Sequence, residues 1–182
     1  MNAALYRFSR AVVAPGASRY IASLIESRPG RALDVGCGPE SPLWSAGMQP
    51  FGVDIALDRA RAFGPAVVAT AASLPFADGV FDSVWSFGLL HHMPDDQART
   101  AIREMRRVTA AGGVTVILDG VLPRQAWSRP LAWLLRRLDR GRWMRQQEAL
   151  QALFDSPASW RFGRFAYSHT GLEGVICKYA GG

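Results

Sequence analysis

Short apolar runs alternate with helically spaced apolar positions between residues 17 and 119. Ala17, Tyr20, Ile21, Leu24 and Ile25 recur at helical spacing, and Pro29-Gly30 ends that helix. Arg31 to Val35 then reads as a strand closing on Gly36-Cys37-Gly38-Pro39. Ser41-Pro42 has the form of an N-cap followed by proline at the first helical position. Phe51 to Asp54 predicts a second strand, Ala56 to Phe63 a helix, and Ala66 to Ala69 a third strand. After the turn Ala77-Asp78-Gly79, Phe81 to Ser86 predicts a fourth strand. Ala98, Ile102, Met105 and Val108 give Asp95 to Val108 a helical face, and Gly112-Gly113 leads into the strand Val114 to Leu118. Such alternation predicts right-handed crossovers and a parallel sheet covered on both faces. Trp160 to Tyr167 and Gly174 to Tyr179 are expected to close the sheet edge as an antiparallel hairpin.

The expected fold is therefore α/β, one Rossmann-like domain with a mostly parallel, doubly wound sheet. Within 1–182, residues 1–29 read as an N-terminal helical cap and 30–120 as the α/β core. Residues 121–157 read as a basic helical lid, and 158–182 as the closing strands.

At 182 residues, 49% hydrophobic and 20% charged, the chain has material for one ordinary core. The longest uncharged run, Ala62 to Ala77, is broken by Gly64, Pro65 and Pro75, so no spanning helix is expected. Arg7 and Arg10 precede only a short apolar run with Pro15 and Gly16, which does not read as a secretion signal. Two cysteines, Cys37 and Cys177, are too few for a disulfide framework and point to a reducing cytoplasm.

The net charge of +6 is unevenly placed. Residues 1–120 hold 11 basic and 11 acidic side chains, whereas residues 121–182 hold 10 basic and 4 acidic ones. Between Arg124 and Arg145 lie seven arginines and one acid, Asp139. There Leu131, Leu134, Leu135 and Leu138 line one helical face, with Arg136, Arg137, Arg140 and Trp133 opposite. This helix either covers the sheet with solvated arginines or meets an anionic membrane surface as a peripheral contact. Nucleic acid ranks lower, because no RNA-binding module accompanies the arginines.

In an open α/β sheet, ligands bind beyond the carboxyl ends of the strands at the switch point. The loop Gly36-Cys37-Gly38 falls there, and glycines admit a ligand close to the backbone. Asp54 ends the next strand, where a carboxylate can accept from two ribose hydroxyls. Each feature alone is compatible with a plain turn or a solvated strand end; in register they point to a nucleotide-like ligand. A nicotinamide fingerprint needs a third Gly or Ala where Ser41 stands, so an oxidoreductase is disfavoured.

Five blocks in order resemble the class I S-adenosylmethionine-dependent methyltransferases, in particular the type 11 group that includes ubiquinone and menaquinone methyltransferase relatives. They are Leu33 to Pro39, Gly52-Val53-Asp54, Ser73 to Ser86, Leu90-His91-His92-Met93, and Arg103 to Val108 ahead of Gly112-Gly113. The resemblance implies S-adenosylmethionine as cofactor and in-line methyl transfer to a small acceptor. It implies Asp34, Gly36, Cys37 and Gly38 beside the methionine part, Asp54 on the ribose, and Ile55 by the adenine. Thr70 stands where the family has an acidic residue for the adenine amino group, with Ala71 beside it offering only backbone. Ser86 and Phe87 complete the implied cofactor site. Glu40 departs from the family's third glycine. Cys37 is expected to pack rather than react, and no metal-ligand spacing is present.

A general base is needed only for a hydroxyl or activated-carbon acceptor. His91 is the first candidate, His92 the second and His169 the third, although the first two can also serve only as caps of a strand end and a helix start. Tyr6, Phe8, Phe87, Trp127, Trp133, Trp143 and Phe154 fall in the segments expected to line the acceptor pocket, which suits an apolar or aromatic molecule. The departures at Glu40 and Thr70 leave a second class open, a cofactor-binding partner subunit without catalysis.

Overall fold

The computed structural model describes residues 21, 23–26, 29–124, 130, 133–134, 141–166 and 171–180. Its centre is one seven-stranded sheet. The strands are β1 (Ala32–Val35), β2 (Phe51–Asp54), β3 (Ala66–Val68), β4 (Phe81–Phe87), β5 (Thr109–Val121), β6 (Arg161–Ala166) and β7 (Glu173–Ala180). They lie in the order β3-β2-β1-β4-β5-β7-β6. The first five are mutually parallel, and β7 runs antiparallel to both β5 and β6. The chain starts at the centre, winds out through β2 and β3, and returns to β4 beside β1. The switch point therefore lies between β1 and β4, as the alternating pattern led one to expect.

The helices α1 (Leu57–Phe63), α2 (Asp95–Val108) and α3 (Gln147–Gln151) accompany the sheet among the described residues. In α2 the spacing of Ala98, Ala101, Ile102, Met105 and Val108 makes one buried face. Asp95 and Asp96 stand in its first turn and Arg106 and Arg107 in its last, complementing the helix dipole at both ends. That face joins Leu33, Val35, Val84, Ile117 and Val121 in the larger apolar core. The opposite face of the sheet presents Ala32, Trp85, Val114, Val116 and Leu118 to Ile25, Leu43 and Met48. The period-two alternation of β5 thus puts Thr115, Ile117, Asp119 and Val121 on the side of α2.

One element is shorter than expected. The N-cap signal at Ser41 is real, since its side chain accepts from the Leu43 N–H at 3.2 Å. Only a 3₁₀ turn, Pro42–Ala46, follows. Gly47 adopts a left-handed φ of 76° and its N–H closes back on the Leu43 and Trp44 carbonyls, which stops the turn. The leucine and arginine positions Leu131, Leu135, Leu138, Arg136, Arg137 and Arg140 lie outside the described residues, as do residues 1–20 with Tyr6 and Phe8, Trp127 and His169. Among the described residues no helix is long and apolar enough to cross a membrane.

Candidate functional site

The loop after β1 is held by its neighbour strand. The N–H groups of Gly36 and Cys37 both donate to the Val53 carbonyl, at 2.7 and 3.0 Å. Gly36 and Gly38 take φ values of 75° and 58°, a region where a side chain would be strained. A β-carbon on Gly36 would also press on Leu89 at 2.8 Å. Across the loop, Asp54 at the end of β2 accepts from the Gly38 N–H at 3.0 Å and from the Ala56 N–H at 2.8 Å. A carboxylate has about four lone-pair sites, so two remain for a diol.

Asp34 is buried at the end of β1, where one oxygen accepts from the Ser41 hydroxyl at 2.5 Å. Its other oxygen, Oδ1, is buried without a hydrogen-bond partner. Burial raises the Asp34 carboxyl to about 7, the Ser41 bond opposes this, and the nearby Asp54 charge adds to it. An unpaired buried acceptor beside a glycine loop fits the ammonium of an amino acid. The Ser41 hydroxyl thus has two partners, donating to Asp34 and accepting from the Leu43 N–H.

The loop after β3 is fastened by α2. Glu104 accepts from the Leu74 N–H at 2.8 Å, and Arg107 donates to the Leu74 and Phe76 carbonyls at 3.1 and 2.8 Å. Arg107 is paired in turn with Glu104 and Asp78, at 2.7 Å each. The Glu104 carboxyl is held below its ordinary value by the Arg107 hydrogen bond. Two sequence blocks, Leu74-Pro75-Phe76 and Arg103 to Val108, are therefore one structural unit. It presents Thr70, which is exposed and accepts from the Ala72 N–H at 3.3 Å, and the buried Ala71.

At the carboxyl end of β4 and β5 the 3₁₀ turn Leu90–His92 sets His91 over Asp119. The His91 N–H donates to Asp119 Oδ2 at 3.0 Å, and His91 Nδ1 contacts Asp119 Oδ1 directly. Asp119 Oδ1 also accepts from the Gly120 N–H at 2.7 Å. Burial works against ionisation of Asp119, yet its interaction with His91 and these hydrogen bonds hold its carboxyl below the ordinary value. His91 is 8% exposed, whereas His92 is exposed, its ring 4.2 Å from that of His91.

The family model for the methyltransferase domain matches residues 33–117, from β1 through the glycine loop, Asp54 and His91 to Ile117 in β5. Over that stretch the chain is similar to the S-adenosylmethionine-dependent methyltransferases. It is 32% identical over 155 residues to a malonyl-[acyl-carrier protein] O-methyltransferase of Pseudescherichia vulneris, covering 78% of this chain and 58% of that one. It is 33% identical over 117 residues to a demethylmenaquinone methyltransferase of Roseiflexus sp. strain RS-1, covering 57% and 48% respectively. The chain thus spans less than two thirds of the length of these curated relatives. A Thermotoga maritima structure described as an S-adenosylmethionine-dependent methyltransferase, possibly acting on histamine, shares the fold at a TM-score of 0.71 and 16% identity, over 98% of this chain and 96% of that one. The nicotinamide reading is set aside on this ground.

The residues at this switch point could hold S-adenosylmethionine. Asp34 Oδ1 offers an acceptor to its ammonium, Gly36 to Gly38 leave room for the amino-acid end, and Asp54 has capacity for the ribose. Ile55, 75% exposed at the end of β2, offers an apolar surface. Cys37 is buried with its sulfur against Gly52, and burial, then the Asp34 and Asp54 charges, push its thiol up. That environment suits packing and opposes a thiolate nucleophile.

Two residues implied in the cofactor site have partners within the protein. Ser86 is fully buried and its hydroxyl donates to the Val35 carbonyl at 2.9 Å, cross-linking β4 to β1 and leaving only its backbone for a ligand. Phe87 stacks on Trp85, at 6.1 Å and 9° between planes. Of the aromatics expected around the acceptor, Phe154 is buried in the α2 core against Trp160 and Phe162. Trp143 is 38% exposed and its N–H donates to the His91 carbonyl at 3.1 Å, which keeps it beside the site. Among the described residues no three His, Cys, Asp or Glu side chains gather as a metal site.

Asp119, Gly141 and Arg145 were not among the sequence candidates. A signal existed for Asp119, an acid directly after the buried run Val114 to Leu118 and on one face with Thr115 and Ile117. None existed for Gly141 and Arg145, whose partners lie 50 residues away in the chain.

Proposed function

We propose that this methyltransferase alkylates a small apolar or aromatic acceptor by in-line transfer, with His91 as general base. The bound cofactor supplies a methyl group on a positively charged sulfur, an electrophile that needs alignment and dryness more than activation. The observation that carries the reading is the His91–Asp119 pair. Asp119 is acceptor-only when ionised, so Nδ1 of His91 carries the proton and Nε2 is the basic nitrogen. An acceptor hydroxyl or acidic carbon placed at Nε2 would pass its proton to the imidazole as its bond to the methyl carbon forms and the methyl–sulfur bond breaks, the neutral thioether leaving. Asp119 then stabilises the imidazolium. The exposed indole of Trp143 and the half-buried Leu89 and Met93 support an apolar acceptor.

A cytoplasmic setting belongs to this reading and is supported by two free, buried cysteines, Cys37 and Cys177. The anionic-membrane contact through Arg136, Arg137 and Arg140 is a separate proposal. Binding to anionic but not neutral vesicles, lost when the three become Glu, tests it.

Turnover with methyl-labelled cofactor against a panel of phenols, quinols and carboxylic acids tests the main proposal. Label should enter at least one acceptor, and His91→Ala should abolish most of that transfer. Cofactor binding with no transfer to any acceptor would favour the partner-subunit reading instead.

A further inference from the structure

Residues 141–145 form a strap across the turn that carries His91. Gly141 is buried, and a β-carbon there would overlap the His91 ring and stand 2.9 Å from the His91 carbonyl oxygen. Two residues on, the Trp143 N–H takes that same carbonyl. Arg145, 8% exposed, closes the strap. Its Nη1 donates to the Leu90 carbonyl at 2.8 Å and to the Trp143 carbonyl at 2.9 Å. Its Nη2 donates to the Met93 carbonyl at 2.7 Å and to Asp95 Oδ1 at 2.7 Å, and Nε to the same oxygen at 2.9 Å. A guanidinium has five N–H donors, and all five are used here. The backbone of Arg145 is fixed as well. Its carbonyl accepts from the Leu122 N–H at 2.9 Å, and it bridges Val121, two residues beyond Asp119.

The strap therefore joins the strand that bears Asp119 to both ends of the turn that bears His91. Leu90 and Met93 flank the histidine pair, and one rigid fork holds both of their carbonyls. Lysine has the charge but three donors on a flexible stem, so it cannot reproduce this arrangement.

We infer that Arg145 is a positioning residue for His91, setting the turn so that the backbone N–H and Nδ1 of His91 both meet Asp119. This rests on the reading of His91 as the base. The role is geometric, and Arg145 itself need not touch cofactor or acceptor.

The test uses the full chain labelled with ¹⁵N-histidine, with Arg145→Lys, Arg145→Met and Gly141→Ala as variants and His91→Gln to assign the signal. The parent should show His91 as a single tautomer with the proton on Nδ1. Each variant that keeps its fold by circular dichroism should show mixed tautomers, while S-adenosylhomocysteine affinity by calorimetry changes by less than about twofold. Turnover should fall by about tenfold or more, as expected for a displaced general base, with KM for the cofactor unchanged. Arg145→Lys should fail to rescue. A folded Arg145 variant that keeps the single tautomer overturns the proposal; should the Arg145 variants not fold, the same result in Gly141→Ala overturns it. If His91→Ala turns over at the parental rate, the base reading fails instead, since the tautomer readout needs no acceptor.

Discussion

The Ser41 hydroxyl donates to one oxygen of Asp34 at 2.5 Å and leaves the other oxygen of that carboxylate buried and unpaired. Half-satisfied burial of this kind raises the Asp34 carboxyl from 3.8 to about 7. Between those values the unfolded chain ionises this group while the folded chain keeps its proton. The folded state then binds more protons, so stability falls as pH rises through that window. Urea midpoints of the ligand-free protein should decrease from pH 5 to pH 8, and Asp34→Asn should flatten the decrease. An ammonium donor favours the ionised form, so S-adenosylhomocysteine should bind more tightly above pH 7 than at pH 5. The same change in Asp34→Asn would show that another group is responsible.

Asp54 acts twice, closing the glycine loop through Gly38 and offering lone pairs to a diol. Charge-assisted hydrogen bonds contribute about 1.5–3 kcal/mol each. Asp54→Ala should therefore weaken S-adenosylhomocysteine by at least about tenfold in calorimetry. Parental affinity would place the ribose elsewhere.

For the His91–Asp119 pair, the expected signature separates chemistry from binding. His91→Ala should lower kcat by about 10²-fold or more. Asp119→Asn should lower it comparably, because an amide can present its N–H to Nδ1 and reverse the tautomer. Cofactor affinity should stay near the parental value in both. Equal losses in binding and turnover would point to a collapsed loop rather than a lost base.

Gly52 explains why a small residue precedes Val53-Asp54. A β-carbon there would stand 2.7 Å from the Phe63 ring and 2.8 Å from the Cys37 sulfur. Gly52→Ala should cost about 1–3 kcal/mol in urea unfolding. Cys37→Ala in the same chain should recover part of it, as expected for side chains in contact.

Much of this architecture is legible in the order of residues. Asp95 to Val108 is a helix with the bounds its spacing predicts, since five apolar positions fall on one face and charges suit both ends. The glycine loop and Asp54 are equally legible, because they lie at the ends of consecutive strands, 16 residues apart between Gly38 and Asp54. What is not legible depends on long-range closure. Ser41 reads as a helix cap, and only folding shows its hydroxyl on Asp34. Arg145 reads as one of seven arginines in a basic stretch, yet it is buried, since three backbone carbonyls and Asp95 converge on it. Ser86 reads as a ligand contact and proves to be a cross-link between strands, a choice made by the register of β4 on β1.

A crystal of the protein grown with S-adenosylhomocysteine tests the central claim most directly. The amino-acid end should lie on Gly36 to Gly38 with its ammonium at Asp34 Oδ1, the ribose hydroxyls at Asp54, and the sulfur open toward the His91 imidazole. Ligand density away from the β1–β4 switch point, or a sulfur on the far side of the sheet edge from His91, would contradict it.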